Sequence, residues 1–257
     1  MNFDVAYYTE TGNKKAVNQD SICIKQIIKN NQKIVMAVIC DGMGGLSLGE
    51  LASATVVQDF NNWLKDKISE LTVNVQMNSI KEEWNQLLHN ANNKILKYGR
   101  ENGIQLGTTV TALLLFDDGR YLVAHVGDTR LYYINNEMIC QITEDQTYVA
   151  REIKLGHMTK EQAEQDSRRN VLLQCIGAVN GLQPEFYEGQ ISADCYMLLC
   201  SDGFRHQYHE EEIMKALSGD MVQMSKENMH SFLRSATNLC MQRGETDNIS
   251  SVLIKIN

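Results

Sequence analysis

The chain has 257 residues, 43% of them hydrophobic, which is enough to bury a sizeable core in one large domain. Its formal net charge of −8 argues against nucleic acid as a general partner, because phosphate backbones are held by a basic face. No basic stretch followed by an apolar core opens the chain and nowhere do about 18 apolar residues run together, so a soluble cytoplasmic protein without a membrane partner is expected. Seven cysteines, odd in number and never spaced Cys-x-x-Cys, read as reduced core residues. One proline and no low-complexity stretch leave no linker, so residues 1–257 are expected to form a single domain, as a monomer.

Residues 2 to 9 and 21 to 28 read as strands, joined by Thr11-Gly12-Asn13-Lys14-Lys15 and the polar Asn18-Gln19-Asp20. Asn30-Asn31 is a hairpin turn into Ile34-Val35-Met36-Ala37-Val38-Ile39-Cys40, whose apolarity at both parities predicts a strand buried on both faces. That run stops in Asp41-Gly42-Met43-Gly44-Gly45. A buried carboxylate with no lysine or arginine beside it in sequence is costly unless it neutralises or binds a cation. The glycines let the backbone turn sharply and bring a carbonyl to such a cation.

Leu48, Leu51, Ala52, Thr55, Val56, Phe60 and Trp63 then recur at helical spacing, and Ile80, Trp84, Leu87, Leu88, Ala91, Ile95 and Tyr98 do so again. Gly107 to Phe116, a turn at Asp117-Asp118-Gly119 and Tyr121 to Val126 predict a second hairpin. Gly127-Asp128-Thr129-Arg130 interrupts it and Leu131 to Ile134 resumes. Within it, His125 reads as a satisfied core residue, and Thr108 and Thr109 as packing beneath a site. Residues 147–170 are charged and weakly helical, an excursion from the sheets, with a short capped helix at Met158 to Ala163. Cys195 to Cys200 is another buried strand, ending in Ser201-Asp202-Gly203. A helix around residues 226 to 243 precedes Gly244-Glu245-Thr246-Asp247-Asn248 and a last strand, Ile249 to Ile256.

Aspartates thus recur at strand edges: Asp41, Asp128, Asp202 and Asp247, with Asp20 entering one. A single Asp-Gly after a strand is ordinarily a turn. Five such placements point to carboxylates converging at one rim of a sheet core, hard oxygen ligands of the kind that suit magnesium or manganese.

The order Lys15-x-x-Asn18-Gln19-Asp20, Asp41-Gly42-Met43-Gly44-Gly45, Gly49-x-x-Ala52, Gly107-Thr108-Thr109, Val126-Gly127-Asp128-Thr129-Arg130, Thr143-x-Asp145, Leu199-x-Ser201-Asp202-Gly203 and Asp247-Asn248-Ile249 resembles the metal-dependent serine/threonine protein phosphatases of the PPM (type 2C) family, in particular their bacterial branch. The resemblance covers nearly the whole chain. It implies an α+β fold, a four-layer α-β-β-α sandwich of two antiparallel sheets flanked by helices, with a manganese or magnesium site of two ions at one end. It further implies that Asp41 bridges the two ions, that Gly42 offers its carbonyl to one, and that Asp202 and Asp247 complete the other. Asp128 would join Asp202 on a third, weaker ion. Asp20 would stand in or just behind the ligand set, holding water on the metal. Residues 147–170 would form the flap that bacterial members use for substrate selection. Phosphorylated proteins, substrates of a serine/threonine kinase, are the implied partners.

Such a site suits phosphomonoester hydrolysis. Two divalent ions roughly 3.5 to 4 Å apart lower the pKa of a shared water, align the hydroxide for in-line attack and offset charge on the phosphoryl oxygens, so no phosphoenzyme is needed. Consistently, no cysteine is followed six residues later by arginine, and no Asp-x-Asp pair is present. Three positions depart from the family pattern or vary within it. Lys15 stands where an arginine commonly grips the substrate phosphate, and supplies charge without the two-pronged geometry. Met43 stands where animal members carry a histidine acid and cannot donate a proton, which leaves water on the metal as the acid. Gln19 replaces a frequent glutamate, at the expense of metal affinity.

Two competing readings also have residues behind them. An inactive relative that keeps the fold as a phosphoprotein-binding or regulatory scaffold draws on Lys15 and Met43, against the retention of Asp41, Asp202 and Asp247. A dinucleotide-dependent oxidoreductase draws on Gly42-x-Gly44 and the alternation of Leu71, Val73, Val75 and Met77. Ser47 replaces its third glycine, however, and Asp41 would set negative charge against a pyrophosphate.

Overall fold

The computed structural model describes residues 1–29, 31–43, 48–71, 75–218 and 224–257. The strands are β1 (Phe3–Glu10), β2 (Ser21–Lys29), β3 (Gln32–Cys40), β4 (Val110–Phe116), β5 (Arg120–Val126), β6 (Arg130–Ile134), β7 (Ile139–Gln141), β8 (Glu185–Gln190), β9 (Cys195–Cys200) and β10 (Ile249–Ile256). The helices are α1 (Gly49–Lys67), α2 (Met77–Asn102), α3 (Tyr148–Lys154), α4 (Lys160–Gln165), α5 (Asp202–Arg205), α6 (Glu210–Leu217) and α7 (Lys226–Gln242).

Two five-stranded sheets form, in the orders β1-β10-β9-β6-β7 and β2-β3-β4-β5-β8, and the pairings are antiparallel. The apolar run of β3 is explained by this arrangement. Ile34, Met36, Val38 and Cys40 join the layer under α1 and α2, while Val35, Ala37 and Ile39 join the layer between the sheets. The first layer is closed by Phe60 and Trp84, whose rings meet edge-on at 5.1 Å. Between the sheets Leu113, Val123, Leu199, Val252 and Ile254 meet Val35 and Ile39. On the far side Leu198, Leu253 and Phe204 pack with Leu233 and Cys240 of α7. The result is the α-β-β-α sandwich that the resemblance implied.

Leu131 to Ile134 does not resume the second hairpin. β5 already has β4 on one side and β8 on the other, so no edge is open to it, and β6 pairs with β9 and β7 in the opposite sheet. Gly127, at φ +108°, turns the chain across. The polar β8, the three-residue β7 and the short α5 and α6 were not expected from periodicity. Of the expected first turn, Asn30 lies outside the described residues, while Asn31 has φ +64° and Lys29 pairs with Gln32, as a two-residue hairpin requires. Gly44, Gly45, Ser47 and Val73 also lie outside the described residues. Leu71 and Val75 belong to no strand and Met77 opens α2, so the alternation that suggested a nucleotide-binding unit has no strand behind it among the described residues.

Residues 147–170 leave the sheets, as expected. Their base is pinned by Tyr148 N–H to the Val171 carbonyl at 2.8 Å and Leu173 N–H to that of Gln146 at 2.8 Å. Thr159 and Gln162 form a reciprocal capping box at the start of α4. All seven cysteines are unpaired, and six are buried. Among the described residues, no helix is long and apolar enough to cross a membrane.

Candidate metal centre and active site

Strand register explains why distant acids meet. Ser21 pairs with Cys40, Ile39 with Thr111 and Val110 with Val126, so the start of β2, the end of β3, the start of β4 and the end of β5 share one rim. In the other sheet Glu10 pairs with Ile249, and Cys200 with both Ser251 and Arg130. The chain crosses between sheets at residues 11–20 and 127–129, so both rims lie at the same end of the sandwich. Asp20, Asp41, Asp128, Asp202 and Asp247 each adjoin one of these strand ends. Asp41 feels repulsion from the other four, which makes them one electrostatic cluster.

The backbone around each acid is tightly held. Asp41 donates its N–H to Thr109 Oγ1 at 3.0 Å, and its carbonyl accepts from Thr109 N–H and Thr108 Oγ1, both at 2.9 Å. The two threonines therefore sit under the site, as expected. Gly42 is required for close approach: a Cβ there would lie 2.4 Å from the Gly49 carbonyl oxygen and 2.5 Å from that of Gln19. Asp202 opens α5, and Gly203 presses against β10, where a Cβ would come within 2.2 Å of the Asn248 carbonyl oxygen. Asp247 is oriented by its neighbours, Glu245 Oε1 accepting the amides of Thr246 at 2.7 Å and Asp247 at 2.9 Å. Asn248 anchors the first crossing, donating to the carbonyls of Thr11 at 2.9 Å and Val17 at 3.2 Å and accepting the Gln19 amide at 2.9 Å. Gln19 turns its own side chain to Glu50, at 3.1 Å.

Charge is badly balanced at this rim. Burial, and then the neighbouring Asp20 and Asp202, push Asp41 well above the usual carboxylate range. Burial pushes Asp20 up to about 7, with Asp202 and Asp247 adding to it and the hydroxyls of Ser250 and Ser201 opposing. Those hydroxyls are engaged by other groups, and neither oxygen of Asp20 has a hydrogen-bond partner; nor does Asp202 Oδ1. Buried acceptors without donors are what a bound cation satisfies, and an all-oxygen set fits magnesium or manganese. Among the described residues, no three histidine, cysteine, aspartate or glutamate side chains are gathered closely enough to hold an ion on their own. One cation of the chain itself is drawn in: Lys15 Nζ lies 2.9 Å from Asp247 Oδ1, and Asp247, Asp41 and Asp202 all favour its charge. Lys15 is thus committed to a ligand candidate rather than held clear for a phosphate.

Asp128 has a cation of the chain itself beside it. Arg205 at the end of α5 donates Nη2 to Asp128 Oδ2 at 2.8 Å and Nε to the Asp128 carbonyl at 3.4 Å. Burial pushes Asp128 up to about 6, Arg205 pulling against it. Beyond them Arg130 clasps both oxygens of Asp145, at 2.8 and 2.7 Å, and this pair accounts structurally for two motifs of the resemblance. His125 is a satisfied core residue, fully buried between Thr111 Oγ1 at 2.9 Å and the Glu144 carbonyl at 3.0 Å. Sequence reasoning missed Arg205, Glu245 and the role of Asn248. Asn248 lay inside a recognised motif, but its partners come from the opposite end of the chain. Arg205 and His206 border a groove of about 1180 Å³ that extends beneath α3 and α4, past Lys154, Lys160 and Arg169.

The protein phosphatase 2C family model matches residues 9–239. The protein phosphatase PhpP of Streptococcus pneumoniae is 29% identical over 256 residues, which cover 99% of this chain and 98% of that protein. The crystal structure of the serine/threonine phosphatase Stp1 from Staphylococcus aureus superposes with a TM-score of 0.85 at 26% identity, over 100% of this chain and 96% of that one. The catalytic domain of the serine threonine protein phosphatase PstP, solved in complex with 2 manganese ions, shares the fold, with a TM-score of 0.78 at 24% identity over 99% and 98% of the two chains.

Proposed function

The chain belongs to the protein phosphatase 2C family and is a protein serine/threonine phosphatase, and from that premise we propose that Asp41, Gly42, Asp202 and Asp247 hold the two divalent ions on which its reaction depends. The observation that carries this reading is the set of buried carboxylate oxygens on Asp20 and Asp202 that have no donor, beside an Asp41 pushed up by burial and by four like charges. Manganese or magnesium bound there supplies Lewis acidity that ionises a water and offsets charge on the phosphoryl group.

The residues of the chain have separate tasks. Thr108 and Thr109 fix the backbone of Asp41, so its carboxylate is presented without rearrangement. Asp20, whose two carboxylate oxygens have no donor in the chain, would accept hydrogen bonds from water at the site and keep it oriented. Lys15 serves as a point charge for the substrate phosphate and returns to Asp247 when none is bound. Met43 has no exchangeable proton, so the leaving alkoxide takes its proton from solvent within the site. Residues 147–170 act as a flap, and the groove beneath them receives the protein segment that carries the phosphate.

Phosphate release from phosphothreonine and phosphotyrosine peptides tests the reading. We expect wild type to prefer phosphothreonine and to stop on chelation, and Asp41→Asn to lose at least about 10²-fold in kcat. Turnover that persists in a chelator overturns it.

A further inference from the structure

We propose that Arg205 supplies, at Asp128, the positive charge for which a third, weaker ion is otherwise expected, so that the centre of this chain takes two divalent ions and Asp128 is no metal ligand. The inference deepens the proposed site and rests on the reading that Asp41, Asp202 and Asp247 bind the first two.

Three observations carry it. The guanidinium meets Asp128 through both its carboxylate, at 2.8 Å, and its main-chain carbonyl, at 3.4 Å, so it is fixed to the loop that crosses between the sheets. The pair is largely shielded from solvent, with side-chain exposures of 13% for Arg205, at the border of the groove, and 8% for Asp128. Asp202 and Arg205 are three residues apart on the single turn of α5, hence on one face, and Asp202 adds to the field that keeps the guanidinium charged.

Asp145 shares the charge of Arg205 but accepts no hydrogen bond from it. Asp145 lies 3.7 Å from its Nη2, but both Asp145 oxygens are already taken by Arg130. A divalent cation at Asp128 would therefore have to displace a buried guanidinium or sit against it, and like charges at such range in a poorly solvated site repel strongly. Arginine does not lose its proton in a protein, so the charge is present at every pH and every metal concentration. The consequence is a metal dependence without a second, weaker phase.

Calorimetric titration of the chelator-stripped full chain with manganese tests this. Support comes from two ions per chain in wild type and in Asp128→Asn, and from a third, weaker ion in Arg205→Gln that is lost again in Arg205→Gln/Asp128→Asn. Three ions in wild type, the weakest lost in Asp128→Asn, overturn the proposal and leave the two-ion reading standing. Two ions in Arg205→Gln, as in wild type, also overturn it. Binding that is absent, or indifferent to Asp41→Asn, overturns both. Should Arg205→Gln fail to fold, melting of Asp128→Asn in chelator decides: a fall of about 5 to 10 °C marks a carboxylate paired with arginine. A rise, or no change, marks a ligand relieved of repulsion and sinks the proposal.

Discussion

Asp20 concentrates the energetic problem of this site, because a fully ionised carboxylate there has no donor and several acidic neighbours. Its folded pKa, about 7, lies above that of the unfolded chain, so the native state binds the extra proton and stability without metal falls as pH rises from the unfolded value through 7. Wild type in chelator should therefore melt higher at pH 6.5 than at pH 8, and Asp20→Asn should flatten that slope. His125, buried and lowered by burial, acts in the opposite direction, so the comparison of the two proteins, rather than either slope alone, is the measurement. Saturating manganese should also remove the slope, since the ions keep the cluster ionised. Lys15 makes a half-exposed ion pair, worth at most about 1 kcal/mol. Lys15→Ala should tighten manganese binding by about 2- to 5-fold, by freeing Asp247 Oδ1, and should raise KM for a phosphothreonine peptide. An unchanged KM would remove Lys15 from phosphate binding. The sequence named Lys15 and Asp20 as site residues; that Lys15 meets Asp247 and that the Asp20 carboxylate has no donor could not be read there, because the groups around both come from distant segments.

At the scale of elements, the first residues of β10 and the first turn of α5 form one unit with the crossing between β1 and β2. Asn248 holds three backbone groups of that crossing, and its loss leaves two carbonyls and one amide to find water. Asn248→Ala is expected to cost about 2–4 kcal/mol in urea unfolding and to weaken manganese binding by loosening Asp247. Gly203→Ala should be as damaging without removing a hydrogen bond, because its methyl would meet a main-chain oxygen at 2.2 Å that nothing flexible can vacate. A variant of normal stability would show that α5 shifts freely, contrary to the packing. The elements legible in advance were α1, α2 and α7, by their periodicity, and β1 to β5, β9 and β10, as apolar or alternating runs between turn signals. β8 was missed because an edge strand with half-exposed polar residues has no alternation to display, and α5 because four residues define no period.

For the whole molecule, two sheets close on each other and bring their like charges to one end, so bound cations and folding are linked. Manganese at about 100 times its dissociation constant should add about 2.7 kcal/mol per site, a rise in Tm of roughly 5 to 10 °C. Chelator should reverse the rise and Asp41→Asn should suppress it, as thermal melts would record. The sequence by itself determined that strands such as β3 and β9 are covered on both faces, since apolar runs at both parities can satisfy themselves only between two covers, and it put acids at the strand ends, where turn residues show plainly. It also carried the family, through motifs kept in order. Only the tertiary structure decided which sheet receives β6, because that depends on which edges β8 and β9 leave open. It likewise decided that Arg205 meets Asp128 across 77 residues of chain. A pattern of burial is local and repeats along the chain, whereas a pairing of charges depends on where two sheets, folded from distant segments, bring their rims together.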